Sequence, residues 1–284
     1  MRRPLLSGCF LVGLLAAMPG GAGAQTLKRF STTRQFHGEV RLTAAVEFGG
    51  GTLTVGAGAP TSLYAMDVAY DAARFQPVSK WDAGGTAVTL GLTSLDNGSL
   101  GVGNATQNQT ANIRFSPRAD LDLSLSVGAA KSLVDLSGLR LSSLKIETGA
   151  SKTEVRFSTP NPIRCTTAIL RAGVAELVVR GLGNSRCDRV SFEGGMGSVV
   201  LDYSGAWGSN SALDATVAVG GLTLRVPRDV GVTITTDQFL ASFQPAGFTR
   251  QGNRYVSTSD ATASRHLNVT LATSFGGVTV DWID

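Results

Sequence analysis

The sequence predicts an all-β protein built as a β-solenoid, a stack of rungs each about 22 residues long. Three observations lead there. Apolar and polar residues alternate through most of the chain, as in Leu121-Asp122-Leu123-Ser124-Leu125-Ser126-Val127, which is the period of a strand with one face buried. Glycine supplies 35 of 284 residues, above the ~7% of ordinary proteins, and Val, Leu, Thr and Ser dominate the rest, a composition of many short strands joined by tight turns. The glycines also recur ahead of alternating segments, in FGGGTLTV (48–55), VGAAKSLVDL (127–136), TGASKTEVRF (148–157), AGVAELVV (172–179), GGMGSVVLDY (194–203), VGGLTLRV (219–226) and FGGVTVDW (275–282). Internal repetition of this kind marks a solenoid, for which right-handed winding is the default of parallel crossovers.

At the N-terminus, Arg2 and Arg3 precede an apolar run from Phe10 to Met18, then Pro19 and small residues ending Ala22-Gly23-Ala24. That reads as a secretory signal peptide over residues 1–24, cut after Ala24. The run is shorter than the roughly 20 residues of a membrane-spanning helix, and no other stretch is long and apolar enough to span. Leu6-Ser7-Gly8-Cys9 also spells a lipobox, but the apolar segment follows Cys9 instead of preceding it. Cleavage removes two of the 25 basic residues, leaving 23 against 21 acidic ones and a formal charge of +2 instead of +4. So balanced a chain lacks the basic footprint of a nucleic-acid binder.

Residues 25–93 form an N-terminal β region. Residues 94–112 (SLDNGSLGVGNATQNQTAN within 94–112) are polar, rich in Gly and Asn and without alternation, and read as a flexible linker or loop. Residues 113–284 carry the repeat. Within it Gly128, Gly149, Gly173 and Gly195 are equivalent, at spacings of 21, 24 and 22. Six residues past each stand Val134, Val155, Val179 and Leu201, an inward apolar column. Seven past stand Asp135, Arg156, Arg180 and Asp202, an outward charged column. With rungs about 4.8 Å apart, Asp135 with Arg156 and Arg180 with Asp202 are expected to form structural ion pairs between rungs, each worth only about 0–1 kcal/mol.

Cys165 and Cys187 each lie eight residues before their glycine. Stacking sets them about 5 Å apart, within reach of a disulfide, and the expected role is a clamp between successive rungs. A redox-active pair would call for a close CxxC motif instead. Arg140, Arg164 and Arg186 lie nine residues ahead of their glycines. Like charges on neighbouring strands repel, which leaves two readings. The side chains splay or pair with turn residues such as Asp188, or they form an anion-binding stripe suited to phosphate or carboxylate groups of the envelope.

No catalytic constellation emerges. The chain has only His37 and His266, with no GxSxG, HExxH, Walker or GxGxxG motif, and no cofactor is indicated. GGMGSV (194–199) resembles the start of a calcium-binding β-roll repeat, but Val199 stands where the Asp ligand belongs. A carboxylate pair such as Asp67 and Asp71, beside Tyr64 and Tyr70, could face a cleft.

Taken in order, VEFGGGTLTV (46–55), LYAMDVAYDAARFQP (63–77), LDLSLSVGAAKSLVDLSGLRLSSLKIETGAS (121–151), FSTPNP (157–162), GLGN (181–184), GGMGSVVLDYSG and FGGVTVDW resemble the toast-rack and LiaF-like envelope proteins, relatives of adhesin-like β-repeat domains. The resemblance implies a β-solenoid with no catalytic residues to carry over. It also implies, from some members, a part in sensing or restraining the response to cell-wall-active antibiotics. Those members carry membrane-spanning segments before the β domain, where this chain has a cleavable leader. The expectation is an exported, non-enzymatic cell-envelope protein, periplasmic or secreted, serving as an interaction or sensing module. Its partner would be an envelope protein or an anionic cell-wall or lipid polymer. A secreted adhesin or self-assembling structural solenoid is the alternative. The irregular segment from Ser242 to His266 looks able to interrupt stacking, which favours a monomer.

Overall fold

Strand β10 (Cys165–Arg180) shows how a rung is made. Sixteen extended residues would run about 50 Å if straight. Yet only residues 181–186 separate its end from the start of β11 (Cys187–Asp202), which lies in parallel register beside its beginning, Cys165 opposite Cys187. The strand therefore folds back on itself. Each rung is an arch of two half-strands, bent where the glycines stand, with a short return to the next. The computed structural model describes residues 27–84, 86–95, 108–236, 243 and 245–284. The expected leader, 1–24, lies outside the described residues.

The remaining strands are β1 (Leu27–Gln35), β2 (Arg41–Ala57), β3 (Ser62–Asp71), β4 (Phe75–Asp82), β5 (Ala87–Ser94), β6 (Thr110–Phe115), β7 (Asp120–Asp135), β8 (Arg140–Thr148), β9 (Lys152–Arg156), β12 (Ser211–Pro227), β13 (Gly231–Thr236), β14 (Phe248–Gln251), β15 (Arg254–Ser257) and β16 (His266–Ile283). The one helix among the described residues, α1 (Leu182–Ser185), is a single turn in the return between β10 and β11. First half-strands pair in the order β4-β5-β2-β7-β8-β10-β11-β12-β16-β13-β15-β14. Second half-strands pair in the order β1-β3-β6-β2-β7-β9-β10-β11-β12-β16. Pairing is parallel throughout the stack and antiparallel only around β1, β3, β4, β14 and β15.

Two features depart from a plain sequential stack. β5 and β6 pair with the first and second halves of β2, so the stretch read as a linker at 94–112 joins the two halves of one rung, and β6 begins inside it at Thr110. β2 and β7 are registered from Arg41 opposite Asp120 to Val55 opposite Val134, so the chain on either side of that stretch shares the same two sheets. At the other end, β16 inserts between β12 and β13. The first sheet then continues through β13, β15 and β14, whereas the second ends at β16. The segment around 242–266 thus extends one sheet only.

Inward residues stack as continuous columns. Ile113, Val55, Val134, Val155, Val179, Leu201 and Leu224 are successive register partners, all 0% exposed, with Val280 half-buried at the end. On the facing half-strands Leu90, Val46, Leu125, Ile146, Leu170, Phe192, Ala215 and Leu271 do the same. The returns are stapled by buried asparagines. Asn161 Oδ1 accepts the Leu141 N–H (3.0 Å) while its Nδ2 donates to the Leu141 (2.8 Å) and Ser185 (3.1 Å) carbonyls. Asn184 donates to the Phe157 carbonyl (2.8 Å) and accepts from Ala206 (2.7 Å). Each amide so satisfies backbone groups that the returns would otherwise bury unpaired.

The bends need glycine because successive corners nearly touch. A Cβ on Gly195 would lie 2.7 Å from the carbonyl oxygen of Gly173 in the rung before it, a backbone atom that cannot move alone. Gly195→Ala is expected to lower unfolding stability by about 1–3 kcal/mol, the usual cost of overpacking, as read by urea titration. An unchanged midpoint would contradict the close approach.

Candidate functional site

Alternation along each half-strand leaves every second side chain outside, and parallel register turns those positions into outer columns. Asp135, Arg156, Arg180, Asp202, Arg225 and Asp281 fall in one such column, although Asp202 is buried where the sequence predicts an outward side chain. The expected ion pairs within it are not those observed. Arg156 and Arg180 both turn to Glu154, each at 2.9 Å. Asp135 accepts the backbone N–H of Ser137 (3.0 Å) and Asp202 that of Ser204 (2.8 Å). The reason is local. Each aspartate ends a strand, where a carboxylate can cap the turn two residues on, and Glu154 lies on the same outward face two residues before Arg156. Hydrogen bonds from Arg156 and then Arg180 hold the Glu154 carboxyl down to about 2, from an ordinary 4.5.

Two of the three residues in the arginine column are neutralised in the same way. Arg140 pairs with Asp120 and Arg164 with Asp188, each at 2.7 Å. Arg186 adopts a left-handed backbone (φ 54°), and its buried Nε has no acceptor among the described residues. The structure therefore offers no row of three free guanidinium groups. On a neighbouring outer column Arg171 bridges Glu147 (3.0 Å) and Glu193 (2.9 Å).

The residues weighed for chemistry stay apart. His37 lies near Glu39 (3.9 Å), and His266 near Asp260 (3.3 Å) at the far end of the chain. Asp67 accepts the Ser31 hydroxyl (2.6 Å), Asp71 caps its own turn through the Ala73 N–H (3.0 Å), and Tyr64 is buried. Val199 points inward, so GGMGSV supplies corner geometry. Among the described residues no group of three or more His, Cys, Asp or Glu is placed to hold a metal. The larger depressions are shallow troughs on the outer sheet. One of about 480 Å³ is walled by Lys131, Lys152, Glu154, Arg156, Glu176 and Arg180.

Sequence reasoning missed the most prominent surface feature. Val174, Met196, Val219 and Phe275 are successive register partners at the corners of four rungs. They are 58%, 52%, 44% and 79% exposed, an apolar ladder facing solvent. The signal was a large apolar residue beside each corner glycine. It was hidden because that residue follows the glycine in Gly173-Val174 and Gly195-Met196 but precedes it in Val219-Gly220 and Phe275-Gly276.

The expected clamp is present: Cys165 and Cys187 are register partners joined by a disulfide. Fold and surface together define a stacked-rung β protein whose outer faces are ladders of like positions. The chain belongs to the family described as the N-terminal domain of toast_rack, DUF2154, which matches over residues 25–180, through the 94–112 stretch to the last residue of β10. Among curated proteins there is no match. Solved structures to which the chain shows similarity include a provisionally named cell adhesion protein of Clostridium sporogenes, at 15% identity over 91% of this chain and 100% of that one (TM-score 0.46). Another is a provisionally named adhesin of Bacteroides fragilis, at 13% identity over 91% and 99% (TM-score 0.40). At these values the family assignment rests on the sequence match.

Two outcomes are expected from this geometry. Replacing both cysteines by Ser should cost about 3 kcal/mol, the loop-closure value for a cross-link of this span, and protein cut after Ala24, and so without Cys9, should titrate with no free thiol when denatured. The Glu154 carboxyl is depressed on folding, so its contribution is fully present above its unfolded value near 4.5 and is lost as pH falls toward 2. Glu154→Gln should flatten acid unfolding between about pH 4.5 and 2, and high salt should shrink the difference because the group is partly exposed.

Proposed function

We propose that this chain is an exported, non-enzymatic interaction module of the cell envelope, acting in the periplasm or outside the cell and connected with the response to cell-wall stress. The apolar ladder of Val174, Met196, Val219 and Phe275 carries the reading. Contiguous exposed apolar side chains are costly to keep in water and mark contact surfaces. Family membership and the disulfide support it, since disulfides persist in oxidising compartments. No helix among the described residues is long and apolar enough to cross a membrane. The partner is an envelope protein or an anionic cell-wall or lipid polymer. The column of Arg140, Arg164 and Arg186 is the weaker contact candidate, because an anion there must compete with Asp120 and Asp188.

A secreted adhesin or self-assembling solenoid is the second reading. It is favoured by the second sheet ending at β1 and at the second half of β16, each with one unpaired edge among the described residues. Concentration-dependent sedimentation separates it from the monomer that the first reading expects.

The ladder gives the decisive variant. Met196→Ser with Phe275→Ser should leave stability within about 0.5 kcal/mol, as exposed positions do. Retention of the purified protein on envelope fractions should fall about tenfold if the ladder is the contact. Undiminished retention would remove the ladder from the binding surface.

A further inference from the structure

The opposite end of the stack carries a second feature that the ladder does not explain. β1 pairs with β3 in unbroken register from Leu27 to Arg34, and its other edge has no partner among the described residues. A nine-residue strand with a free edge is a template for pairing with another chain.

The chemistry of β1 narrows what can pair there. The strand holds Lys28, Arg29 and Arg34 and no acidic residue. None of the three takes part in an ion pair among the described residues, although ten other lysine and arginine side chains there do so at 4 Å or less. A second copy of β1 is a poor occupant. Antiparallel pairing about Ser31 would set Lys28 against Arg34 twice, and like charges directly opposite are destabilising.

Beneath the strand lie two buried donors without acceptors. The Arg34 guanidinium stacks over the Trp81 ring of β4 at 3.9 Å. Both Arg34 Nε and Trp81 Nε1 are buried, with no hydrogen-bond partner. Stacking fixes the plane of the guanidinium, and with Nε buried it is the Nη1–Nη2 edge that is left as a fork suited to a carboxylate. Glu39, the carboxylate whose field Arg34 shares, accepts the His37 N–H at 2.7 Å beyond the end of the strand.

A free backbone edge, three cations outside any ion pair and a guanidinium held in plane by Trp81 converge on one ligand. We propose that β1 is the docking site for an extended, acidic strand of a protein partner, which adds to the edge of the sheet and places a carboxylate on the guanidinium of Arg34 that Trp81 holds in place. This deepens the interaction-module reading by giving the partner's chemistry. Strand addition takes affinity from main-chain hydrogen bonds and selectivity from alternate side chains. The basic residues then act twice, admitting an acidic strand and excluding a second β1.

The test uses protein exported from its full-length precursor and a labelled ten-residue peptide alternating Glu with Val and Thr. Fluorescence polarisation should show binding that weakens with salt, with hydrogen-exchange protection confined to residues 27–35 and their neighbours on β3. Arg34→Gln should weaken binding about tenfold, the scale of a lost charge-assisted fork, and Arg34→Lys should not restore it. The exposed pair Lys28→Gln and Arg29→Gln, which leaves the Trp81 contact intact, should also weaken it and guards against a folding defect at Arg34. Equal binding of a peptide with Lys in place of Glu would overturn the proposal. So would equal binding of a Pro-interrupted peptide, protection elsewhere in the molecule, or dimerisation through β1 without peptide. Failure here in a protein still retained on envelope fractions would leave the interaction-module reading standing, so the two fail separately.

Discussion

In-register parallel pairing makes every residue of a rung the neighbour of its equivalent in the next, about 4.8 Å away, so that one position in the repeat becomes one column in the molecule. The buried apolar column from Ile113 to Leu224 and the charged column from Asp135 to Asp281 are consequences of that single rule applied to opposite faces of the same strands. The disulfide is another, because Cys165 and Cys187 meet only if their strands keep register. The glycines hold the register at the bends, where a side chain would collide with the carbonyl of the preceding rung.

Columns also force a choice on charged residues. Stacked arginines repel and stacked carboxylates do likewise, so the outer faces are organised around shared counter-charges: Glu154 between Arg156 and Arg180, and Arg171 between Glu147 and Glu193. Such exposed networks secure register more than they add stability. An apolar column cannot be neutralised in this way, which is why the ladder from Val174 to Phe275 stands out as a surface awaiting cover.

The two ends of the stack are not alike. Beyond β16 one sheet continues through β13, β15 and β14, and Phe248 of β14 stacks on Trp282 at 5.3 Å, drawing that extension across the end of the arch. At the other end the second sheet runs out through β6, β3 and β1 to a basic edge. A stack of identical rungs would polymerise. Here the end rungs differ from the middle ones, and the difference comes from two insertions in chain order, β3 to β6 and β13 to β15.

The sequence by itself determined the fold class, the length of the rung, the inward column through Val134, Val155, Val179 and Leu201, and the disulfide. All of these follow from alternation and spacing, which are local properties repeated along the chain. Only the tertiary structure decided the rest. It paired β5 and β6, on either side of residues 96–107, with the two halves of β2, and put β16 ahead of β13. It gave Glu154 the arginines expected beside Asp135 and Asp202, and aligned Val219 and Phe275 with Val174 and Met196. The physical reason is common to all four. Each depends on which strand lies next to which, and where insertions separate partners by up to 79 residues, as Arg41 from Asp120, no spacing rule in the chain can register them.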